Sequence, residues 1–217
     1  MPAPARRVLG AVMAVLGIAL AALGAWTALK LGPSGEAHFS ATSKATGAIV
    51  VEPDVLNALN VPVRVTATRD DGGAVWLAAA PSTDARAVLA RSAVSTVSGV
   101  HYPAGTLDLR ASGAGALPDI SAADVWRLFA NGAGSTELVV DQGRGPEMAV
   151  VRSGDTTALT DLTMTLTWAN RSWFFEALTA VVIGAIIAAF ALIDLSHSRH
   201  MARRIKALRA RRSRVKA

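Results

Sequence analysis

LTMTLTWANRSWFFEALTAVVIGAIIAAFALIDL, residues 162–195, changes its hydrophobic period near Asn170. Up to Trp168, apolar and polar residues alternate, which places alternate side chains on opposite faces of a strand. Beyond it, Trp173–Leu195 carries charge only at Glu176 and Asp194, close enough to its ends for their side chains to reach a headgroup layer. As a helix that run measures about 35 Å, enough to cross a hydrocarbon core of about 30 Å. The stretch therefore predicts a β-domain whose last strand leads directly into a membrane helix.

Toward the N-terminus, VLGAVMAVLGIALAALGAWTAL, Val8–Leu29, is a second run without charge. Its alternative is a cleaved signal peptide, with Arg6 and Arg7 as the basic region and Ala22-Leu23-Gly24 as the cleavage site. A secretory apolar core is about 7–15 residues, shorter than this one, so the length favours an uncleaved anchor. The expected organisation is a cytoplasmic N-terminus (1–7), a first span (8–29), an extracytoplasmic domain (31–172), a second span (173–195) and a cytoplasmic tail (196–217).

Charge follows the same division. The formal net charge is +6, yet residues 31–172 sum to −4, while residues 1–30 carry +3 and the tail from Arg199 carries +9. The high isoelectric point thus belongs to the tail, and the domain is not a basic nucleic-acid-binding fold. Lys and Arg accumulate on the cytoplasmic flanks of spans. By that rule Arg6 and Arg7 place the N-terminus inside and the tail places the C-terminus inside, as two spans require. Trp26 at one end, and Trp168, Trp173, Phe174 and Phe175 at the other, suit the outer interface, where amphipathic rings collect. Gly10, Gly17 and Gly24 recur every seventh residue, and Ala180, Gly184 and Ala188 form a small-xxx-small row. Such rows let helix backbones approach, so these residues are candidates for packing the two spans together or against a partner.

Between the spans, β-patterned runs alternate with Gly-, Pro- and Asp-rich breaks. Strands are predicted at 37–42, 47–52, 61–68, 74–79, 94–100, 106–110, 136–140, 147–152 and 162–169. One helix is predicted in PSTDARAVLARSA, with Ser82 or Thr83 as N-cap and Asp84 in its first turn. ISAADVWRLFANG (120–132) combines a capping-box pattern, Ser121 to Asp124, with a strand-like VWRLFA; the apolar run favours a strand. Many short strands with turns every 8–12 residues predict an antiparallel sandwich with one short helix. There is no Cys, so the core alone must hold the domain.

VPVRVTATRDDGGAVWLAAAPSTDARAVLA and DVWRLFANGAGSTELVVDQGRGPEMAVVRSGD resemble, in their order of strands, turns and Asp-opened helix, a family of two-transmembrane proteins of high-GC Gram-positive bacteria (actinobacteria). The resemblance spans most of residues 45–195 and implies a β-rich extracytoplasmic domain between two spans; it implies no reaction. Two departures stand out. Met148 replaces a Trp two residues before the Val150-Val151 pair, and Arg152-Ser153-Gly154-Asp155 replaces a Met-Asn-Ala-Asp-Gly turn.

Catalytic signatures do not emerge. GxSxG, Walker A, HExxH and Rossmann patterns are missing, and no cofactor or metal is expected. Asp70-Asp71 precedes two glycines and reads as a turn, since a calcium loop needs carboxylates at alternating positions. His38 and His101 read as loop or surface histidines, and His197 with His200 makes an incomplete metal pair. Ser95, Thr96 and Ser98 read as cross-strand hydrogen-bonding hydroxyls. In the tail, Arg199, Arg203, Arg204, Lys206, Arg209, Arg211, Arg212, Arg214 and Lys216 surround a narrow stripe of Met201, Ile205, Leu208 and Val215. Each basic residue near an anionic leaflet contributes about 1 kcal/mol of attraction, so a lipid surface is the expected partner and nucleic acid is not. The sequence thus points to a non-enzymatic envelope protein that displays a β-domain for binding or scaffolding, with another membrane or envelope protein as partner. Two alternatives stay open: an accessory or signalling subunit acting through the tail, and an enzyme acting on envelope polymers.

Overall fold

The computed structural model describes residues 3–43, 47–102, 104–154 and 162–215, and the side chains of these except at 3–7, 144 and 197–215. Two compact units are present. One contains the N-terminal segment through Gly35 and the C-terminal segment from Arg171; the other is Glu36–Asn170.

The helical unit consists of α1 (Ala3–Leu31) and α4 (Arg171–Val215). α1 stops at Gly32, whose φ of +63° is a left-handed terminator that a side chain would disfavour. Within these helices, Val8–Leu31 and Arg171–Ser196 are long and apolar enough to cross a membrane. Large apolar side chains along both, such as Leu16, Leu23, Ile183 and Phe190, are exposed.

The β-unit comprises β1 (Glu36–Ser43), β2 (Ala48–Val51), α2 (Pro53–Leu56), β3 (Val63–Arg69), β4 (Ala74–Pro81), α3 (Ser82–Leu89), β5 (Val94–His101), β6 (Thr106–Ser112), β7 (Leu128–Ala133), β8 (Ser135–Val140), β9 (Glu147–Ser153) and β10 (Leu162–Ala169). Each predicted strand is a strand, and VWRLFA supplies β7, beginning at Leu128.

The sandwich does not form. All ten strands join one sheet in the order β7-β4-β9-β2-β5-β6-β1-β10-β3-β8. The two edge strands are neighbours in sequence and pack against one another, so the sheet curls into a nearly closed barrel. At the turn between the edge strands, Arg69 N donates to Gly134 O (2.7 Å), extending the β3–β8 pairing, and Gly134 N donates to Gly73 O (3.0 Å), extending the β4–β7 pairing. Nor is the sheet purely antiparallel, because β2 runs parallel to β5 and β1 to β6. Strand spacing along a chain carries neither order nor direction, and a curled sheet and a split one bury the same alternating pattern.

Inside the barrel lie Val63, Val65 and Ala67 of β3, and Leu162, Met164, Leu166 and Trp168 of β10, all fully buried. Trp168 was expected at a membrane interface. Instead its indole donates to Leu56 O (3.2 Å) and meets Phe39 edge-on at 5.6 Å, deep in the core. The alternation that made β10 legible also fixes this: Trp168 has the parity of Leu162, Met164 and Leu166.

β2, β4 and β9 are buried on both faces. Their continuous apolar runs (AIVV, VWLAAA, MAVV) match that environment. The outer face of this trio is a second core of Ala48, Val50, Trp76, Ala78, Met148 and Val150, covered by α3 through Ala85 and Leu89 and by Ile120. α3 starts before either expected N-cap, Ser82 or Thr83: Pro81 is its N-cap position, no side chain caps it, and Ser82 is buried. A second helix, the single turn α2, opens on Pro53, whose missing N–H suits a first turn.

Candidate functional site

The sheet register builds a row of side chains on the outer face near one edge. Asn131 of β7 pairs with Trp76 of β4, and Trp76 pairs with Arg152 of β9. These three therefore stand side by side, and Phe129, two residues before Asn131, shares their face. Phe129 is 64% exposed.

A second layer closes over the row. Asp119 caps the 3₁₀ turn Ile120–Ala122, accepting from Ser121 N (3.2 Å) and Ser121 Oγ (2.5 Å). Buried Ile120 anchors that turn, and its carbonyl accepts the Trp126 indole N–H at 2.6 Å. Trp126 then stands edge-on to Trp76, with centroids 5.1 Å apart and ring planes 81° apart.

Arg152 ties the layers together. Its guanidinium lies 5.6 Å from the Trp76 ring centroid, and its Nη2 donates to Asp119 Oδ1 (3.0 Å) and Ser121 Oγ (3.1 Å). Its Nε is buried without an acceptor among the described residues. The two hydrogen bonds from Ser121, with the Arg152 charge adding to them, hold the Asp119 carboxyl below its ordinary range. The result is a cleft of about 400 Å³ lined by Trp76, Asp124, Trp126, Phe129, Asn131 and Arg152, among others. That is within the size range of small-molecule sites.

Sequence reasoning missed this site. Trp76, Trp126 and Phe129 were visible as aromatics within predicted elements, and Arg152 as a departure from a family turn. Only register brings them together. The 121–124 capping box does not form, because Asp119 takes the capping role.

Elsewhere, polar residues singled out in the sequence serve structure. Asp71 grips the buried Arg69 guanidinium through Oδ1 to Nε (3.0 Å) and Oδ2 to Nη2 (2.6 Å), and Gly72 turns the chain at φ +73°. His101 meets Asp108 at 2.8 Å, both exposed, and exposed His38 meets the half-buried Glu36 at 3.4 Å. Among the described residues no group of three or more His, Cys, Asp or Glu could hold a metal ion.

In the helical unit, the two small-residue rows meet. A Cβ on Gly17 would lie 2.6 Å from Ala188 N and 2.8 Å from Gly184 O; one on Gly184 would lie 2.5 Å from Ala21 N. Gly24 faces Ala177 O and Ala180 Cβ at 2.7 and 3.1 Å, and Gly10 faces the Leu195 side chain at 3.3 Å. Ala177 and Ala191, outside the predicted row, are also buried. The basic tail continues α4: Arg199, Arg203, Arg204, Lys206, Arg209, Arg211, Arg212 and Arg214 lie on helical backbone, with side chains outside the described set. Lys216 lies outside the described residues.

No family model matches the chain. No curated protein matches it either. Among solved structures, a hydroquinone 1,2-dioxygenase from Sphingomonas sp. TTNP3 with 4-hydroxybenzoate bound is similar at 8% identity and a TM-score of 0.27. The match covers 62% of this chain and 58% of that one, and at that score it bears on neither fold nor activity.

Proposed function

We propose that this chain is a two-pass protein of a bacterial plasma membrane that presents its β-domain outside the cell for binding or scaffolding rather than catalysis. Both termini face the cytoplasm, the tail lies against an anionic inner leaflet, and the partner of the display unit is another component of the envelope. One observation carries this: helices long and apolar enough to cross a membrane stand at either end of a self-contained β-unit. The charge division supports the orientation, because the basic excess sits beyond the two runs and the domain is acidic. The likeness to two-transmembrane proteins of actinobacteria agrees with it. The aromatic cleft supports binding, since it offers apolar faces and a few convergent polar groups.

The natural chain contains no Cys, so single cysteines report position without background. Asp70→Cys, on an exposed turn, should react with a membrane-impermeant maleimide in intact cells. Ser213→Cys should react only after permeabilisation. The opposite pattern, or labelling of both in intact cells, contradicts the topology.

A further inference from the structure

Resting on that outward-facing reading for the source of its ligand, we infer that the cleft beside β7 and β4 is a subsite for a neutral glycan of the cell envelope. Phe129, 64% exposed, and the half-buried Trp126 supply apolar ring faces against which the C–H face of a sugar can stack. Asp124 and Asn131 line the same cleft, and neither side chain has a partner among the described residues. A carboxylate accepts and a carboxamide both donates and accepts, which is the mixed set that vicinal hydroxyls require.

Charge decides between ligand classes. The Arg152 guanidinium is already bound to Asp119 at 3.0 Å, and Asp124 adds a second carboxylate to the rim. A phosphate or other polyanion would meet more negative than positive charge there. An organic cation would be drawn by that negative surplus, but the Trp76 face on which it would stack is taken by Arg152. A neutral polyol meets neither penalty. The site is also held in shape before any ligand arrives, since Trp126 is fixed by its bond to Ile120 O and Trp76 by its packing in the outer core.

The test uses the full chain in lipid nanodiscs, free of glycoside detergents. Chitotetraose and maltotetraose are the neutral probes; tripolyphosphate and choline are the charged ones. Saturation-transfer NMR and tryptophan quenching should show a neutral sugar binding the wild type. Phe129→Ala and Asn131→Ala, both exposed, should each weaken that binding about tenfold with unchanged thermal unfolding. Binding of neither sugar, equal binding by wild type and Phe129→Ala, or a preference for either charged probe overturns the inference. Labelling of Asp70→Cys separates the two ideas. Outward labelling without sugar binding discards the glycan subsite and leaves the topology standing; sugar binding with inward labelling overturns the envelope as its source.

Discussion

Arg152 shows how one residue is fixed by several weak terms together. It stacks on Trp76, donates to Asp119 and Ser121, and gains its place from a β4–β9 register that no local signal announces. Its carboxylate partner gives a pH prediction. The Asp119 carboxyl is held low in the folded chain, so its contribution is complete above the usual carboxylate range and is lost as pH falls through its folded value. Titration below that range should therefore release the 119–121 turn from Arg152, moving the NMR resonance of the Trp126 indole N–H, which is bonded to Ile120 O within that turn. Asp119→Asn should remove that acid transition and leave neutral-pH unfolding nearly unchanged, because the carboxylate is 70% exposed. An unaltered acid transition in that variant would rule Asp119 out as its origin.

Among elements, the two apolar helices were the most legible. Heptad-spaced glycines and a small-xxx-small row permit close backbone approach, to one another or to a partner, and here the two rows face one another. The contacts differ in hardness, which gives a graded expectation. Gly17→Leu must displace backbone atoms at Ala188 and Gly184 and should cost about 1–3 kcal/mol in thermal or denaturant unfolding of the helical pair. Gly10→Ala meets only the tip of Leu195 and should be close to neutral. Equal effects at the two positions would mean that the seam is not the packing surface. The β-strands were nearly as plain, because alternation marks β3 and β10 and continuous apolar runs mark β2, β4 and β9. The start of α3 was not, since its Pro81 N-cap makes no side-chain bond that sequence preferences could report.

For the β-unit as a whole, closure is the property to test. The β3–β4 turn meets the Gly134 corner at the seam, and the buried Arg69 guanidinium inside it donates to Ser153 Oγ (2.5 Å) and Ala74 O (3.2 Å). Gly73 lies against that guanidinium, where a Cβ would overlap it. Asp71→Ala removes the carboxylate that balances a 3% exposed cation, and should destabilise the domain by about 2 kcal/mol or more in denaturant unfolding. A change within experimental error would show that the seam holds without the ion pair. By itself the sequence determined the two apolar helices, the spacing of their small residues, the strand positions and the distribution of charge, because each of these is a periodicity or a count along the chain. Only the tertiary structure decided that the strands form one curled sheet, that Trp168 belongs to its interior, and that Asn131, Trp76 and Arg152 share a face. Those depend on strand order and register, which are set by contacts between residues as far apart as Phe39 and Trp168 and leave no local trace.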